Sequence, residues 1–408
     1  MTAANKEGVM SVDLSVTLKG IKFRNPFLVG SGPTVKNLDQ IKAAADSGWA
    51  GASIKLAIDP FPYLDLPPRY RWLAREKLHI FTAEKRLTAA QSLSLLEESR
   101  KVRDDFIVIP TLTYDGEDYE GWGRLAKRFV EAGARIIELN MCCPNMSFNV
   151  SNTGVQTKKC TGASLGNDFE NLPKVVRIVT EAVSVPVIVK LCPDGNQIGF
   201  ASRIAITAGA AAVGNSANRL GIPDIDILHP GDSIYRLQDE ITLGCLSGPW
   251  ARPLALRDTY QMRTALGPEA FIIGSGGISD LSSAVQQIMT GCDAVWICTE
   301  TMLRGFDWLA KTLDELEKYM SAMGYASVRD FRDILLGNIV SAQDLTIHKG
   351  YAEVDAEKCT ACGSCLKIGH CDALRLDKGK ARVDTSHCLA CSTCADVCPR
   401  RAIRMRKN

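Results

Sequence analysis

Between residues 26 and 300 eight short apolar, β-branched runs recur, each followed by a longer amphipathic stretch, and this rhythm restricts the chain to a few architectures. The runs lie at 26–32 (PFLVGSG), 51–57 (GASIKLA), 106–113 (FIVIPTLT), 135–141 (RIIELNM), 186–192 (PVIVKLC), 211–217 (AAVGNSA), 271–277 (FIIGSGG) and 294–300 (AVWICTE). Between them, LDQIKAAADSG, WGRLAKRFVEAG, LPKVVRIVTEAV and LSSAVQQIMTG carry helical periodicity, several ending in a glycine suited to a helix C-terminus. Strands apolar on both faces and separated by helices predict an α/β fold with a parallel sheet covered on both sides. Eight of them fit a closed (β/α)8 TIM barrel over residues 1–325 better than an open doubly wound sheet, although closure itself leaves no mark in a sequence.

Two connections, 56–105 and 218–253, are too long for bare loops. Both follow strand C-termini, where barrel sites form, so they are expected to cover a substrate. After about Tyr325 the rhythm stops. SVRDFRDILLGNIV suggests a helical linker over 326–348, which leaves 349–408 as a separate small domain.

That small domain holds eight of the fifteen cysteines, in short gaps: Cys359-x-x-Cys362-x-x-Cys365, then five intervening residues to Cys371, then Cys388-x-x-Cys391-x-x-Cys394-x-x-x-Cys398-Pro399. Metal ligation explains such spacing better than disulfides. Two triplets, each followed by a further cysteine, match the two-cluster bacterial ferredoxin pattern, in which the fourth ligand of each run crosses to the other cluster. One [4Fe-4S] cluster is therefore expected on Cys359, Cys362, Cys365 and Cys398, the other on Cys388, Cys391, Cys394 and Cys371. Structural zinc could also take eight thiolates, but the doubled triplet with a swapped fourth ligand favours the cubanes. Because each cubane passes one electron at a time, the barrel must hold a group that accepts single electrons and delivers two, and flavin does both.

Composition narrows the function further. With 46% hydrophobic residues and 48 basic against 46 acidic side chains, the chain is neither a disordered polymer nor a neutraliser of nucleic acid. It has no apolar run of membrane-spanning length, and MTAANKEGVMSVDLSV lacks the basic start and apolar block of a secretory signal. A cytoplasmic protein without membrane or nucleic-acid partners is the expectation.

The segment ELNMCCPN (138–145) resembles the Asn-x-Ser-Cys-Pro-Asn motif of the dihydroorotate dehydrogenase superfamily, and NPFLVGSGPT, SIKLA, VIVKLCP, GNSAN, LSGPWARPLAL and IIGSGGI follow in the family's order. The fused tail makes the likeness strongest to the catalytic half of the dihydropyrimidine dehydrogenases. The resemblance implies FMN in the barrel, with Gly30, Ser31, Lys55, Asn140, Asn215, Ser247 and Gly248 as cofactor contacts. The turn Ser275-Gly276-Gly277 and the pair Cys298-Thr299 offer backbone N–H groups to a phosphate, as phosphate-binding barrels do after strands seven and eight. Lys190, inside the apolar run VIVKL, needs an anionic partner; by resemblance it approaches the N1 and C2 side of the flavin and stabilises the reduced ring.

Reducing a polarised C=C bond also needs a proton donor with a pKa near working pH, and a thiol can serve. Cys143, beside Pro144, is the expected catalytic acid; Cys142 stands where the family usually has Ser, and Cys160 is a weaker second candidate. Asn140, Asn145, Asn215 and Ser216 are carried over as groups that orient the carbonyl and N–H edge of a cyclic substrate. The family's uracil enzymes carry Asn-x-Glu before the third strand; here the region reads LHIFTAEKRLTAA, with Glu84 nearby. The expected reaction is reduction of uracil or thymine to the 5,6-dihydropyrimidine. Another cyclic enone or aromatic substrate, a dihydroorotate dehydrogenase, and an electron-transfer subunit with an inactive barrel remain as alternatives. No Gly-x-Gly-x-x-Gly stands in a dinucleotide-fold context. A separate FAD- and NAD(P)H-binding subunit or a ferredoxin is therefore expected as donor, in a homo- or hetero-oligomer.

Overall fold

A computed structural model describes residues 12–59, 66–82, 85–143, 161–193, 195, 197–222 and 224–408. Two compact units divide between Gly337 and Asn338.

The first unit is built on eight parallel strands: β1 (Phe27–Val29), β2 (Gly51–Ser53), β3 (Ile107–Ile109 and Thr111–Thr113), β4 (Ile137–Met141), β5 (Val187–Leu191), β6 (Ala212–Asn215), β7 (Phe271–Ser275) and β8 (Ala294–Ile297). Each pairs with the next, and β8 returns to β1 through Val295↔Phe27, so the barrel is closed. Pro110, which has no N–H to give, interrupts β3 without opening it. The flanking carbonyls still accept: Ile109 O from Ile54 N at 2.8 Å, Pro110 O from Glu138 N at 2.9 Å.

Alternation along the strands sorts the side chains. Val29, Val108, Ile137, Leu139, Val189, Val213, Ile272 and Val295 pack outward against the helix layer. Leu28, Ile107, Ile109, Ile136, Ile188, Phe271, Ile273 and Trp296 fill the interior, together with Leu18 and Phe23 from an N-terminal hairpin (Val16–Leu18 with Ile21–Phe23). Burial on both faces is why the strand sequences read as unbroken apolar runs. Toward the strand C-termini the interior positions turn polar: Ser53, Thr111, Glu138, Asn140, Lys190 and Ser275, all buried. The helix layer comprises α1 (Leu38–Asp46), α2 (Ala89–Ser99), α3 (Tyr119–Glu131), α4 (Leu172–Ala182), α5 (Ile198–Thr207), α6 (Arg252–Leu266), α7 (Leu281–Thr290) and α8 (Trp308–Met323). Side-chain caps from Asn37, Thr88, Asp118 and Asp280 start α1, α2, α3 and α7.

The two long connections meet as one element. Their strands Tyr70–Leu73, Leu78–Phe81, Gly244–Ser247 and Arg219–Gly221 form a four-stranded antiparallel sheet. The stretch expected as a helical linker over 326–348 instead contains three short 3₁₀ turns, at Val328–Asp330, Leu336–Asn338 and Ala342–Asp344, and the division between units falls inside it. Val328 and Phe331 reach the barrel core, whereas Ile334, Ile339 and Val340 beyond them stay exposed, so their apolar spacing does not bury a helix face.

The second unit pairs Gly350–Val354 with Ile403–Lys407 and Leu374–Asp377 with Lys380–Val383. Its buried core is small, Ala352, Ala381, Ala402 and Ile403 with three of the cysteines. No helix among the described residues is long and apolar enough to cross a membrane.

Candidate active site

The polar ends of β4, β5 and β7, with Asn140, Lys190 and Ser275, lie at a cleft open to solvent. Lys190, from β5, is 8% exposed, with Nζ 3.7 Å from Glu138 Oε1 and 4.4 Å from the centre of the Trp296 ring. Ser53 Oγ donates to Glu138 Oε2 at 2.5 Å. Burial disfavours the Lys190 ammonium, but the Glu138 carboxylate first, then nearby cysteine sulfur once ionised, outweigh it and hold its pKa above the ordinary value. The anionic partner that the sequence demands for Lys190 is thus a residue of the chain itself.

Asn140 lies beside Lys190 through the β4–β5 register. Its Oδ1 accepts from Cys143 N (3.3 Å) and Cys142 N (3.4 Å), and its Nδ2 donates to Cys143 Sγ at 3.2 Å. One amide therefore sets the turn and orients the thiol. Cys142 is fully buried, and burial, then its contact with Cys143, pushes its thiol far up, so it stays protonated. Cys143 is half-buried and lines the cleft.

At the other end, Gly276 and Gly277 have φ of +109° and +70°. A Cβ on Gly276 would collide with Ala217 and Ala255, and one on Gly277 would stand 2.7 Å from Arg252 Cβ of α6. The turn is pressed against α6, leaving its backbone on the cleft wall, where Cys298 and Thr299 join it. This cradle beside a buried cation suits an anionic, phosphate-bearing planar cofactor such as FMN.

Of the residues expected from sequence, the cleft brings together Gly30, Ser31, Asn140, Cys143, Lys190, Ser216, Ser247, Gly248, Gly276, Gly277, Cys298 and Thr299. Two others are buried but off its lining. Lys55 lies at the end of β2, its backbone N–H bonded to Val35 O. Asn215 ties β6 to β7, its Oδ1 accepting from Ser275 N at 2.7 Å and its Nδ2 donating to Ser275 O at 3.1 Å, so its amide is engaged on the backbone. Glu84, Asn145 and Cys160 lie outside the described residues.

The cover sheet adds residues that sequence reasoning missed. His79 and Phe81 line the cleft; outside the sheet Arg86 does too, as does Leu56, which the sequence places directly after Lys55. His79 Nδ1 is 3.2 Å from Ser247 Oγ, which Thr299 Oγ1 reaches at 3.3 Å, and Tyr70 stacks on the His79 ring at 5.6 Å. The available signal was the alternation in LHIF, which sends His79 and Phe81 to one face. Glu138 had one too, two residues before Asn140 on the same strand.

In the second unit, Cys359, Cys362, Cys365 and Cys398 line one hollow, and Cys371, Cys388, Cys391 and Cys394 line another. The two loops repeat one conformation: Ala361 and Ala390, then Gly363 and Ser392, all have positive φ. Such turns direct successive N–H groups to one side, suiting an anionic cluster. Backbone donors already reach sulfur, Ala381 N to Cys359 (3.5 Å), Ala352 N to Cys388 (3.4 Å) and Ala402 N to Cys398 (3.3 Å). The Ala381 bond lowers the Cys359 pKa; His370, 3.4 Å from Cys391, draws that thiol down to about 7. No disulfide joins any of the described cysteines.

A 4Fe-4S binding domain model matches residues 381–404. Over 367 residues the chain is 28% identical to the NAD-dependent dihydropyrimidine dehydrogenase subunit PreA of Escherichia coli K12, covering 88% of this chain and 85% of that one. It is 26% identical over 355 residues to the chloroplastic dihydropyrimidine dehydrogenase (NADP(+)) of Arabidopsis thaliana, covering 82% and 79%. It is 29% identical over 334 residues to the catalytic subunit of dihydroorotate dehydrogenase B (NAD(+)) of Pyrococcus abyssi, covering 79% and 99%. A dihydroorotate dehydrogenase model spans residues 13–320, the whole of the barrel with its cleft. With that match over most of its length, the chain belongs to the dihydroorotate dehydrogenase family and is an oxidoreductase acting on CH–CH groups, of the FMN and iron–sulfur type.

Proposed function

We propose that this chain reduces the polarised C=C bond of a cyclic, carbonyl-activated small molecule, uracil or thymine first, to the 5,6-dihydro product. Electrons arrive through two [4Fe-4S] clusters, one on Cys359, Cys362, Cys365 and Cys398, the other on Cys371, Cys388, Cys391 and Cys394. The single observation carrying the reading is that one cleft unites the Lys190 cation, the Gly276–Gly277 turn and the Asn140-held thiol of Cys143. Two of the relatives are named as subunits, and a separate FAD- and NAD(P)H-binding subunit, or a ferredoxin, is the donor in this proposal. Thiolate-held clusters need a reducing compartment, which makes the cytoplasm the proposed location.

The backbone of Gly276, Gly277 and Thr299 would hold the FMN phosphate, with Gly30, Ser31, Lys190, Ser247 and Gly248 around the ring. Bound there, FMN supplies hydride chemistry together with exchange of single electrons. Lys190 keeps a positive charge at the floor of the cleft, favouring anionic ligands. Cys143 Sγ holds the proton destined for the substrate carbon, and the Asn140 N–H on that sulfur stabilises the thiolate left behind. Asn140 and Ser216 orient the carbonyl edge of the substrate, and the sheet that carries His79 and Phe81 keeps water out.

A second reading concerns the ring. Leu56, Phe81 and the His79 ring make part of the wall apolar, which favours a less polar cyclic enone or aromatic substrate over a ureide. A dihydroorotate dehydrogenase does not account for the fused cysteine-rich unit. An inactive barrel does not account for a buried lysine beside an oriented thiol. Anaerobic purification with flavin, iron and sulfide quantitation tests the cofactors. Reduction by a low-potential donor, then addition of uracil, thymine, orotate or cyclic enones, tests the substrate; failure of all of them to reoxidise the protein refutes the reading.

A further inference from the structure

We infer that Glu138 is a positioning residue for the reaction: anchored by Ser53, it keeps the Lys190 side chain charged and directed at the floor of the cleft. The proposal rests on the reading above for its purpose but not for its geometry.

Glu138 is fully buried inside the barrel. Ser53 Oγ fixes one of its oxygens, and the other, which accepts no hydrogen bond among the described residues, faces Lys190 Nζ at 3.7 Å. The Trp296 ring covers the ammonium from β8. One step toward the strand N-termini, the same interior is filled by Ile107, Ile109, Ile188 and Ile273. A buried ion pair is seldom better for stability than apolar residues of similar volume, so packing alone would favour more of the same. What the pair adds is a lysine that stays charged although buried.

The groups acting on Lys190 come from two strands. Glu138, Cys142 and Cys143 belong to β4 and its turn, and Cys298 follows β8; Arg86 and Glu300 are the other charged side chains lining the cleft. Glu138 is the strongest of those that favour the ammonium, whereas burial opposes it. Without the carboxylate, burial dominates and the lysine loses its proton more readily.

The test is NMR titration of protein carrying ¹³Cε-labelled lysine, with Lys190→Met to assign the signal. In wild type the Lys190 signal stays in its charged position past the ordinary lysine value of about 10.4. In Glu138→Gln it titrates at least about two pH units lower, Glu138→Asp restores most of the shift, and Ser53→Ala gives a smaller shift in the same direction. A Glu138→Gln protein that folds and titrates as wild type overturns the inference. If Glu138→Gln does not fold, Ser53→Ala decides: no shift there overturns it equally. The titration needs no bound flavin, so absence of FMN from the wild-type holoprotein would defeat the functional reading while leaving this result standing.

Discussion

Cys143 and Cys142 are chemically identical neighbours, and their surroundings separate them. Cys142 is sealed in with Ala163 and Cys192, its thiol pushed far up by burial, whereas Cys143 opens on the cleft with an amide N–H on its sulfur. Cys143→Ala should retain flavin and iron yet lose turnover by on the order of 10² to 10⁴. Cys142→Ser should stay within about tenfold, since a buried protonated thiol takes no part in proton transfer. Steady-state rates on cofactor-matched samples check both. Lys190 gives a pH expectation. Its folded pKa lies above the unfolded value of about 10.4, so what the charged pair with Glu138 contributes to stability is fully present below that pH. The contribution disappears only as pH rises through the higher folded value. Thermal unfolding followed from neutral to alkaline pH should show no loss attributable to this pair before about pH 10.4.

At the scale of elements, the turn after β7 and the cover sheet divide the work of the cleft. The Gly276 site admits no Cβ without moving Ala217 or Ala255. Gly276→Ala should therefore weaken FMN binding at least tenfold, seen as flavin-depleted protein with an unchanged far-UV circular dichroism spectrum. On the proposed function, the cover sheet bears on the substrate: a His79→Asn, Phe81→Glu double variant replaces a ring wall with polar groups on the same strand face. It should raise turnover of uracil relative to a cyclic enone in direct competition; an unchanged ratio means that the sheet does not read the substrate. The glycine turn and the strand–helix alternation were legible in sequence because both are local. The cover sheet was not: its strands are drawn from connections more than a hundred residues apart, and only their pairing, Leu246↔Ile80 and Ser247↔His79, brings His79 over the cleft.

For the whole molecule, the proposed clusters bear on the folding of the cysteine-rich unit. Its buried core is alanine, one isoleucine and cysteine, a small apolar surface for a fold of this size, so cluster assembly and folding should be coupled. Cys371→Ser and Cys398→Ser should each lower iron content by about half, and by loss from the hollow opposite to the run in which the cysteine sits. Iron and sulfide analysis with electron paramagnetic resonance of the remaining cluster checks this; equal damage to both clusters by each variant would contradict the crossed assignment. Sequence alone determined the eight-fold strand–helix repeat and the paired cysteine runs, because periodicity and ligand spacing are properties of neighbouring residues. Closure of the barrel across β8 and β1, the union of Glu138 with Lys190, and the seating of His79 and Phe81 in the cleft were decided only in three dimensions. Each is a contact between segments distant in the chain, and burial and charge act through space.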